Sequence, residues 1–391
     1  MGFDVPSRHQ NHTLKSLLGG IEMNVLTLGA GGFIGSHLTQ RLLKEGHSVT
    51  ALDLDAEKVT DILYHPNLTF LQQDIRSPEW NLDPLVRDAD LVIDLIAYAN
   101  PGLYIQIPLE VFRLNFTENL KIAESCLRHH KRLIQFSTCE VYGRTVASIK
   151  NANLTDPEDP IHATFSEDSS EYILGPVSKH RWIYSCAKQM LERVLHAYGL
   201  EQNFNYTIIR PFNFIGPKID FLPHEKAGTP RVFSFFMDAL LNGTPMKLVN
   251  GGVNRRCYTY IDDAIECSYR IVQNPGGLCD RQIFNIGSPH NEISIRQMAE
   301  TMRDIYAANF RDNSIPLPEI VSVTGEEFYG EGYDDSDRRI PDITKATTLL
   351  GWKPSWSIRD TLETTMRYYV AEQKKAAASA AVAAPTAAIL Q

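Results

Sequence analysis

The chain has 391 residues, which suits two domains or one large domain with an added lobe. Its hydrophobic content of 43% is normal for a globular protein with a sizeable core. The formal net charge of −9, with no broad basic region, disfavours a nucleic-acid-binding protein. No apolar run approaches the ~18 residues of a membrane span, so neither a transmembrane helix nor a membrane partner is expected.

The six cysteines are scattered singly, and no two of them stand at the CxxC spacing of a zinc or redox motif. Such usage predicts reduced thiols and a cytoplasmic protein, with neither a disulfide framework nor a bound metal. Residues 1–22 lack the apolar core of a signal peptide, so they are predicted to be a flexible arm or a start site assigned too early.

The stretch Leu26–Asp53 carries the first functional signal, because it places a glycine-rich turn between an apolar run and an amphipathic helix. Gly29 permits a tight turn, Gly32 lets backbone N–H groups approach a pyrophosphate, and Gly35 lets helix and strand pack closely. Asp53 closes the next apolar run, where a carboxylate can accept hydrogen bonds from the ribose hydroxyls of NAD. An acid with no adjacent arginine favours NAD over NADP, although a glycine turn by itself can also be purely structural.

Further apolar runs follow at regular intervals. Residues 68–75 predict a third strand, residues 89–99 a fully apolar fourth strand, residues 109–130 a long helix, and residues 131–136 a fifth strand. Strands that alternate with helices are typical of a doubly wound parallel sheet, so an α/β fold of the Rossmann type is predicted for residues 23–213. The predicted cofactor site also includes Phe33 and Ile34 in the turn, and Asp74 with Ile75 at the end of the third strand.

The second half of the chain is less regular. Residues 144–180 are rich in Pro, Asp, Asn and Ser and predict a long loop at the active site. A helix at 182–198 and a strand at 204–213 follow. Residues 214–372 then predict a smaller mixed α/β lobe that covers the substrate, with segments returning to the sheet and a last helix at 357–372. The alanine-rich residues 373–391 have no repeating apolar face and are predicted to be disordered.

Tyr184 and Lys188 lie four residues apart, on one face of a predicted helix. A nearby ammonium favours the phenolate and lowers the pKa of Tyr184, so this residue can take a proton from a sugar hydroxyl as hydride leaves for NAD. The spacing is common by chance, and a surface pair is the alternative. Thr138 follows the fifth strand, where open α/β sheets bind ligands, and is expected to hydrogen-bond the reacting hydroxyl.

Four motifs occur in order: GAGGFIG at 29–35, STCEVYG at 137–143, YSCAK at 184–188 and RPFNFIGP at 210–217. With them the chain resembles the extended short-chain dehydrogenase/reductase family of nucleotide-sugar enzymes, over about residues 23–372. The stretches HRWIYSCAKQ, MKLVNGGVNRRCYT and FYGEGYDDSDRRIPDI are similar to the UDP-glucuronate decarboxylase branch of that family. This branch includes the decarboxylase half of the aminoarabinose-pathway enzyme and the plant UDP-apiose/UDP-xylose synthases.

The resemblance implies a mechanism in which NAD takes hydride from the sugar C4 while Tyr184 takes the hydroxyl proton. The C4 ketone then lies β to the C6 carboxylate, so carbon dioxide can leave as electrons flow into an enolate. By motif position, Glu140 would be an acid–base group near that carboxylate, and Arg339 a cation near C5. Placing Glu140 beside the substrate carboxylate would favour loss of carbon dioxide. A structural carboxylate and a surface ion pair are the alternatives for these two residues.

The same resemblance implies a pocket for UDP-glucuronate. The residues expected to border the sugar or to hold uridine and diphosphate are Ala99, Tyr104, Thr138, Cys139, Arg181, Asn213, Arg231, Lys247, Arg256 and Tyr333. Arginine makes bidentate phosphate contacts, which explains how an acidic protein can hold a dianion locally. Cys139 is either a small buried filler or a thiol that protonates the enolate. Ala99 stands where the apiose/xylose synthases carry a second cysteine, which argues against efficient formation of apiose.

The leading hypothesis is an NAD-dependent UDP-glucuronate decarboxylase that yields UDP-4-keto-pentose, UDP-xylose or both. A UDP-apiose/UDP-xylose synthase and a UDP-glucuronate 4-epimerase are the enzymatic alternatives, and the epimerase would not need the Glu140–Arg339 pair. A non-catalytic dinucleotide-binding scaffold is disfavoured, because the tyrosine, lysine and threonine named above are all present. The resemblance also implies a homodimer that pairs through the helices near 106–130 and 182–198.

Overall fold

Apolar strands and amphipathic helices alternate along the first half of the chain, and this pattern builds a sheet covered by helices. The structure is a computed structural model that describes residues 22–149, 154, 156, 158–226, 228, 230–312, 314–329 and 334–383. Its strands are β1 (Asn24–Leu28), β2 (Ser48–Asp53), β3 (Leu68–Gln72), β4 (Leu91–Asp94), β5 (Arg132–Phe136), β6 (Thr164–Phe165), β7 (Tyr206–Pro211), β8 (Phe214–Ile215), β9 (Met246–Val249), β10 (Arg255–Cys257), β11 (Thr259–Tyr260), β12 (Gln282–Ile286), β13 (Glu292–Ser294), β14 (Ile320–Val323) and β15 (Arg338–Pro341). Its helices are α1 (Phe33–Lys44), α2 (Asp83–Asp88), α3 (Pro101–Gln106), α4 (Pro108–Phe112), α5 (Asn119–Arg128), α6 (Trp182–Gln202), α7 (Val232–Asn242), α8 (Ile261–Gln273), α9 (Ile295–Asn309), α10 (Gly325–Tyr329), α11 (Thr344–Leu350) and α12 (Ile358–Ala383).

The main sheet has seven strands in the order β12–β7–β5–β4–β1–β2–β3, and every neighbouring pair runs parallel. The order of the strands reverses between β1 and β4, which makes this the switch point where open α/β sheets bind ligands. The Rossmann-type doubly wound sheet predicted from the sequence is therefore confirmed. β12 comes from the second half of the chain and extends this sheet beside β7.

Smaller sheets accompany the main one: β13–β10–β15–β6, β11–β8 and β14–β9. β15 pairs with both β10 and β6, which ties the C-terminal part of the chain to the long loop after β5. This pairing brings Arg339 to Glu140, which is 199 residues earlier in the chain. One apolar core serves both parts of the fold, since Phe33 and Leu42 of α1 belong to the same cluster as Phe236 of α7.

The fourth strand is shorter than predicted. Only Leu91–Asp94 is extended in the sheet, whereas the prediction covered residues 89–99. The Asp94 side chain accepts a hydrogen bond from the Ile96 N–H at 2.9 Å, and this local bond turns the chain out of the ladder. Two of the residues that leave the strand, Ala97 and Ala99, line the central cavity.

Two helices differ from their predictions. The long helix predicted at 109–130 contains a π-helical segment, Arg113–Glu118, between α4 and α5. The last helix does not end at residue 372 but continues to Ala383, so the disordered tail predicted from residue 373 is wrong for residues 373–383. Alanine has the highest helix propensity, and a helix that is already packed can extend through it. Residues 384–391, and residues 1–21 of the predicted arm, lie outside the described residues.

The helix faces considered for a homodimer lie largely inside the chain. Val111, Leu191 and Leu195 are almost completely buried within one copy of the protein, so their apolar surface is already covered. The homodimer stays a prediction. Within the part of the chain that the structure describes, no helix combines the length and the apolar character that a membrane crossing requires.

A buried ion pair joins β7 of the main sheet to α6, next to the site. Arg210 of β7 donates to Glu192 of α6 at 2.6 and 3.1 Å, and to the Tyr142 hydroxyl at 2.7 Å. Glu192 also accepts a hydrogen bond from Ser137, the residue that follows β5. The Glu192 carboxylate therefore neutralises the buried Arg210 guanidinium. It also fixes Ser137 at the end of β5, the strand that leads into the site.

Glu192→Gln is expected to lower the free energy of unfolding by about 3–5 kcal/mol, because it leaves the buried Arg210 charge without a counter-charge. Urea denaturation followed by circular dichroism measures this change. Glu201→Gln is the matched control, since Glu201 is exposed on the same helix and should change stability by less than about 0.5 kcal/mol. Equal stability of the two variants would contradict the assignment.

Candidate active site

A cavity of about 460 Å³ opens at the carboxyl ends of β1, β4, β5 and β7, at the switch point of the main sheet. The predicted site residues that line it are Gly29, Gly32, Phe33, Ile34, Gly35, Ala99, Tyr104, Thr138, Cys139, Glu140, Arg181, Tyr184, Asn213, Arg231, Lys247 and Arg256. The predicted site residues that are not part of its lining are Asp53, Asp74, Ile75, Lys188 and Arg339. Tyr333 lies outside the described residues, so its predicted role stays a prediction.

The glycine turn between β1 and α1 is closely packed. Gly29 has φ +83°, a left-handed conformation that suits glycine, and a Cβ on Gly35 would lie 2.1 Å from the Gly29 carbonyl oxygen. Sequence reasoning missed Gly31, where a Cβ would lie 1.9 Å from the Asp55 carbonyl oxygen. The only signal for Gly31 in the sequence was its position between Gly29 and Gly32 of the turn.

The start of α1 suits a pyrophosphate. Gly32 is the N-cap and has no side chain to cap the helix, and the first turn contains no acidic residue. Within the described part of the chain, the N-cap makes no side-chain hydrogen bond to the first N–H groups of this helix, so they are available to an anion. This arrangement fits a dinucleotide, and the residues that would hold it are the glycine turn and Asp53.

Asp53 lies at the end of β2, beside that turn. Its carboxylate accepts hydrogen bonds from the Gly31 N–H at 2.8 Å and from the Leu54 N–H at 2.6 Å. Burial raises the pKa of Asp53, and these backbone hydrogen bonds oppose the rise. The carboxylate is therefore fixed in position next to the glycines, where the ribose of a dinucleotide is expected.

Asp74 has a partner that the sequence did not suggest. Arg76 holds its carboxylate in a bidentate contact at 2.7 and 2.9 Å and also reaches the Tyr98 hydroxyl at 2.9 Å. The hydrogen bonds from Arg76 lower the pKa of Asp74. Ile75 packs against the apolar cluster that contains Leu26. The roles predicted for Asp74 and Ile75 at the adenine end thus stay predictions.

Gly31→Ala is expected to weaken NAD binding at least about tenfold, which corresponds to ~1.4 kcal/mol, because the turn must move to accommodate the new Cβ. Isothermal titration calorimetry with NAD measures the change. Gly276→Ala is the control, since Gly276 also has a positive φ but nothing lies within 4 Å of the place that its Cβ would take. An affinity equal to that of the control would show that Gly31 is not needed for the shape of the turn.

Tyr184 lies in the first turn of α6, is almost fully buried and lines the cavity. Its ring stacks on that of Tyr104, with centroids 4.6 Å apart and planes inclined by 12°. A hydrogen bond joins its hydroxyl to Thr138. Thr138 also caps the short turn after β5, because its Oγ1 accepts a hydrogen bond from the Glu140 N–H at 3.1 Å. The hydroxyls of Tyr184 and Thr138 are therefore close together, and the contact of Thr138 with a substrate hydroxyl stays a prediction.

Lys188 lies one turn further along α6 and is fully buried. Its Nζ donates to Asn119 Oδ1 at 3.0 Å and to the Phe136 carbonyl oxygen at 3.1 Å. Burial lowers the pKa of Lys188 to about 8. Sequence reasoning missed Asn119, whose only signal was a polar residue at a buried position of a predicted helix.

The predicted lowering of the Tyr184 pKa is not seen, while the support that Lys188 would give to a Tyr184 phenolate during the reaction stays a prediction. The pKa of Tyr184 is raised, first by burial and then by the negative charge of Glu140, while the hydrogen bond with Thr138 opposes the rise. One structural reason is that Lys188 Nζ donates its hydrogen bonds to Asn119 Oδ1 and to the Phe136 carbonyl oxygen. Spacing along a helix predicts a shared face, but it does not predict which acceptors the ammonium finds.

Glu140 lies between two guanidinium groups on the other side of Tyr184. Its carboxylate accepts hydrogen bonds from Arg339 Nη1 at 2.6 Å and from Arg181 Nη2 at 3.1 Å. Burial favours the protonated acid, but these two charges outweigh it and lower the pKa of Glu140. Glu140 is therefore ionised at neutral pH.

Asp335 completes this network, and sequence reasoning missed it. Its carboxylate binds Arg339 at 2.8 Å, Arg181 at 3.1 Å and Arg256 at 2.8 Å. Burial acts to raise the pKa of Asp335, yet the three guanidinium groups lower it. Its signal was present in DDSDRR, where it stands four residues before Arg339.

Among the described residues of this network, three guanidinium groups face two carboxylates, a formal balance of +1. Arg339 is 1% exposed and lies behind Glu140 and Asp335, which both line the cavity. The prediction put this cation next to the sugar, whereas the structure separates it from the cavity by its two acidic partners. A bound anion would meet Arg181 and Arg256, because these two are the arginines of the network on the cavity wall.

Cys139 is buried beside the same network. Arg339 Nη1 lies 3.9 Å from its Sγ. Burial raises the pKa of the Cys139 thiol, while the charge of Arg339 opposes the rise. The thiol is consequently protonated at neutral pH, so it can donate a proton but is a poor nucleophile.

The remaining predicted substrate residues on the cavity wall are Asn213, Arg231 and Lys247. Arg231 binds the Asp220 carboxylate at 2.9 and 3.0 Å, and its guanidinium lies 5.4 Å from the centre of the Phe33 ring. Asn213 has φ +44° and donates from Nδ2 to the Cys257 carbonyl oxygen at 3.3 Å. Lys247 is exposed on β9. Asp220 offsets the charge of Arg231 and Asn213 is neutral, so Lys247 is the one of these three residues that adds a positive charge for a phosphate group.

The comparisons agree with this geometry. The model of the family described as "NAD dependent epimerase/dehydratase family" matches residues 25–287. The UDP-D-apiose/UDP-D-xylose synthase of Oryza sativa subsp. japonica is 41% identical over 364 residues, which cover 90% of this chain and 91% of the relative. UDP-D-apiose/UDP-D-xylose synthase 1 of Arabidopsis thaliana is 42% identical over 368 residues, which cover 90% and 94%.

A solved structure supports the same assignment. The PbgP3 protein from Burkholderia pseudomallei is 33% identical, with a TM-score of 0.77 over 90% of this chain and 98% of its own. The predicted resemblance to nucleotide-sugar enzymes, the enzymatic nature of the protein and its NAD cofactor are confirmed by these matches. With a glycine turn, a Tyr–Lys pair and a matching family model over most of its length, the chain belongs to the NAD dependent epimerase/dehydratase family.

Proposed function

We propose that this enzyme oxidises UDP-glucuronate at C4 with NAD and then decarboxylates it, giving UDP-4-keto-pentose, UDP-xylose or both. The observation that carries this proposal is the buried pairing of Glu140 with Arg181 and Arg339, on the wall of the cavity that also contains Tyr184 and Thr138. The names of the relatives, which are synthases of UDP-apiose and UDP-xylose, support the same class of substrate.

Oxidation at C4 needs a base next to the hydroxyl. Thr138 and Tyr184 are close enough to share a hydrogen bond, so both can contact one substrate hydroxyl and orient it. Tyr184 accepts the hydroxyl proton as the phenolate, at its phenolic oxygen. The Lys188 ammonium favours this phenolate form. The glycine turn and Asp53 would hold NAD, which would supply the acceptor for the hydride from C4.

Decarboxylation needs a site that binds the C6 carboxylate and disfavours its charge at the same time. Arg181 on the cavity wall attracts the carboxylate, while the ionised Glu140 repels it at close range. This opposition raises the energy of the bound carboxylate relative to the enolate, whose charge lies on the C4 oxygen. Cys139 offers a neutral thiol as a proton donor to the enolate carbon. A UDP-glucuronate 4-epimerase would retain the C6 carboxylate, so a negative charge that repels this group would not help its reaction.

A second candidate is a UDP-apiose/UDP-xylose synthase. The names of the relatives and the contact between Cys139 and Arg339 favour it. Ala99 argues against it, because this position on the cavity wall offers no second thiol. The two candidates share the oxidation and the decarboxylation, and they differ only in whether the pentose ring is contracted afterwards.

Incubation of the enzyme with UDP-glucuronate and NAD tests the proposal, with NMR spectroscopy of the product mixture and measurement of carbon dioxide. UDP-4-keto-pentose or UDP-xylose, with carbon dioxide, is the expected result. UDP-apiose would establish the second candidate. UDP-galacturonate without carbon dioxide would identify an epimerase and overturn the proposal. A lasting rise in NADH absorbance would further show that the keto sugar leaves before the hydride returns.

A further inference from the structure

Asp94 is a buried carboxyl group to which the reaction above gives no role. It is the last residue of β4 and has no exposed surface. Its Oδ1 accepts the hydrogen bond from Ile96, and its Oδ2 has no well-aligned hydrogen-bond partner among the described residues, although the nearby Gln135 side chain acts to lower the pKa of Asp94. Gln135, its direct neighbour on β5, likewise has a buried Oε1 without such a partner. A carboxyl group that is only half satisfied costs stability, so its presence needs a reason.

A chain of hydrogen bonds leads from Asp94 to the site. The Ile96 N–H donates to Asp94, and the Ile96 carbonyl oxygen accepts from Asn119 Nδ2 at 3.2 Å. Asn119 Oδ1 in turn accepts from Lys188 Nζ at 3.0 Å. Asp94 therefore fixes the backbone that orients Asn119, and Asn119 orients Lys188.

The charges around Asp94 point to the same lysine. The ionisable groups that face it are Lys188 of α6 and Cys126 of α5, and Glu192 faces Lys188 from the other side. Burial raises the pKa of Cys126, so this thiol stays neutral. Asp94 is the largest charge that opposes the effect of burial on the pKa of Lys188. Burial raises the pKa of Asp94 itself, and the charge of Lys188 opposes that rise. In its ionised form the Asp94 carboxylate favours the ammonium form of the fully buried Lys188.

We propose that Asp94 is a positioning residue of this site, which keeps Lys188 charged and in place behind Tyr184. The catalytic consequence rests on the proposed oxidation at C4, in which the ammonium stabilises the Tyr184 phenolate. Without the charge of Asp94, Lys188 loses its proton at a lower pH. The enzyme then retains less of the ammonium at neutral pH, although the fold and the remaining hydrogen bonds are retained.

Asp94→Asn tests the inference, because asparagine keeps the shape and the acceptor for Ile96 but removes the charge. The descending alkaline limb of the pH profile of kcat is expected to move down by about one pH unit or more, a tenfold change in the proton equilibrium. Activity should therefore be lost near pH 8, where wild-type Lys188 titrates, and should recover at more acidic pH. Cys126→Ser is the control, since it changes a neutral neighbour of Asp94 and should leave the limb in place.

A second measurement observes Lys188 without any substrate. Lysine labelled isotopically at Cε gives NMR signals that report protonation, and Lys188→Met identifies the signal of interest. Burial lowers the pKa of Lys188 to about 8, and this pKa, measured as the midpoint of the titration, is expected to fall further in Asp94→Asn. Asp94→Ser, which also keeps an acceptor for Ile96, is the substitute if the asparagine variant does not fold.

The outcomes separate this inference from the proposed function. An unmoved midpoint would overturn the role of Asp94, whether or not UDP-glucuronate is the substrate. A loss of activity at every pH, with an unmoved limb, would assign Asp94 a purely structural role and overturn the inference as well. A wild-type enzyme that does not turn over UDP-glucuronate, together with a lowered midpoint in Asp94→Asn, would overturn the proposed function but support the role of Asp94.

Discussion

Tyr184→Phe is expected to lower the rate of C4 oxidation about a thousandfold, which is within the range of general acid–base catalysis. The variant keeps the stacked ring beside Tyr104 but loses the oxygen that accepts the hydroxyl proton. Because burial raises the pKa of Tyr184, the fold alone does not supply a phenolate at neutral pH. Bound substrate and NAD, together with Lys188, therefore have to favour the phenolate form of Tyr184. Single-turnover formation of NADH with UDP-glucuronate measures this step.

Tyr104→Phe is the matched control for this prediction. It makes the same chemical change in the other ring of the stacked pair, where burial raises the pKa of the hydroxyl so strongly that it stays protonated. We expect a loss of no more than about tenfold, the effect of one lost hydrogen bond to the substrate. If the two variants were equally impaired, Tyr184 would have no special role as the base. Retention of wild-type rates in Tyr184→Phe would exclude proton transfer to this residue altogether.

Local patterns in the sequence predicted the parts of the fold that depend on neighbouring residues. The glycine turn after β1 needs particular residues at fixed offsets, so the spacing of Gly29 and Gly35 was enough to identify it. Alternating apolar runs and helices identified the parallel sheet in the same way. The predicted strand at residues 89–99 was too long because an apolar run does not reveal where a side chain such as Asp94 turns the chain.

The contacts of the site residues were less predictable, because they join residues that are far apart in the chain. Asn119 binds Lys188 from a helix 69 residues earlier, and this contact decides where the ammonium points. Arg339 was singled out by its motif, but its burial behind Glu140 depends on how β15 pairs with β6 and β10. Asp335 stood in the same motif, yet only the pairing of strands shows that it meets three arginines. The motifs therefore located the site, while tertiary packing determined its electrostatics.

Glu140→Gln is expected to separate decarboxylation from oxidation. The substitution keeps the size of the side chain and removes the negative charge that opposes the C6 carboxylate. Release of carbon dioxide should fall at least about a hundredfold, the effect typical of losing one preorganised electrostatic group. Oxidation at C4 should be retained, because removal of the Glu140 charge also removes one of the causes that raise the pKa of Tyr184. Parallel measurement of NADH and carbon dioxide after mixing with UDP-glucuronate gives the ratio of the two steps.

Asp335→Asn is the matched control, since it removes one carboxylate from the same arginine network. Asp335 binds all three arginines, including Arg256, whereas Glu140 binds Arg181 and Arg339 and stands two residues after Thr138. Loss of Asp335 should therefore disturb substrate binding and raise KM, with oxidation and decarboxylation reduced together. Loss of Glu140 should change the ratio between them. Wild-type release of carbon dioxide by Glu140→Gln would exclude Glu140 from the decarboxylation step, and the arginines would then carry that step by binding alone.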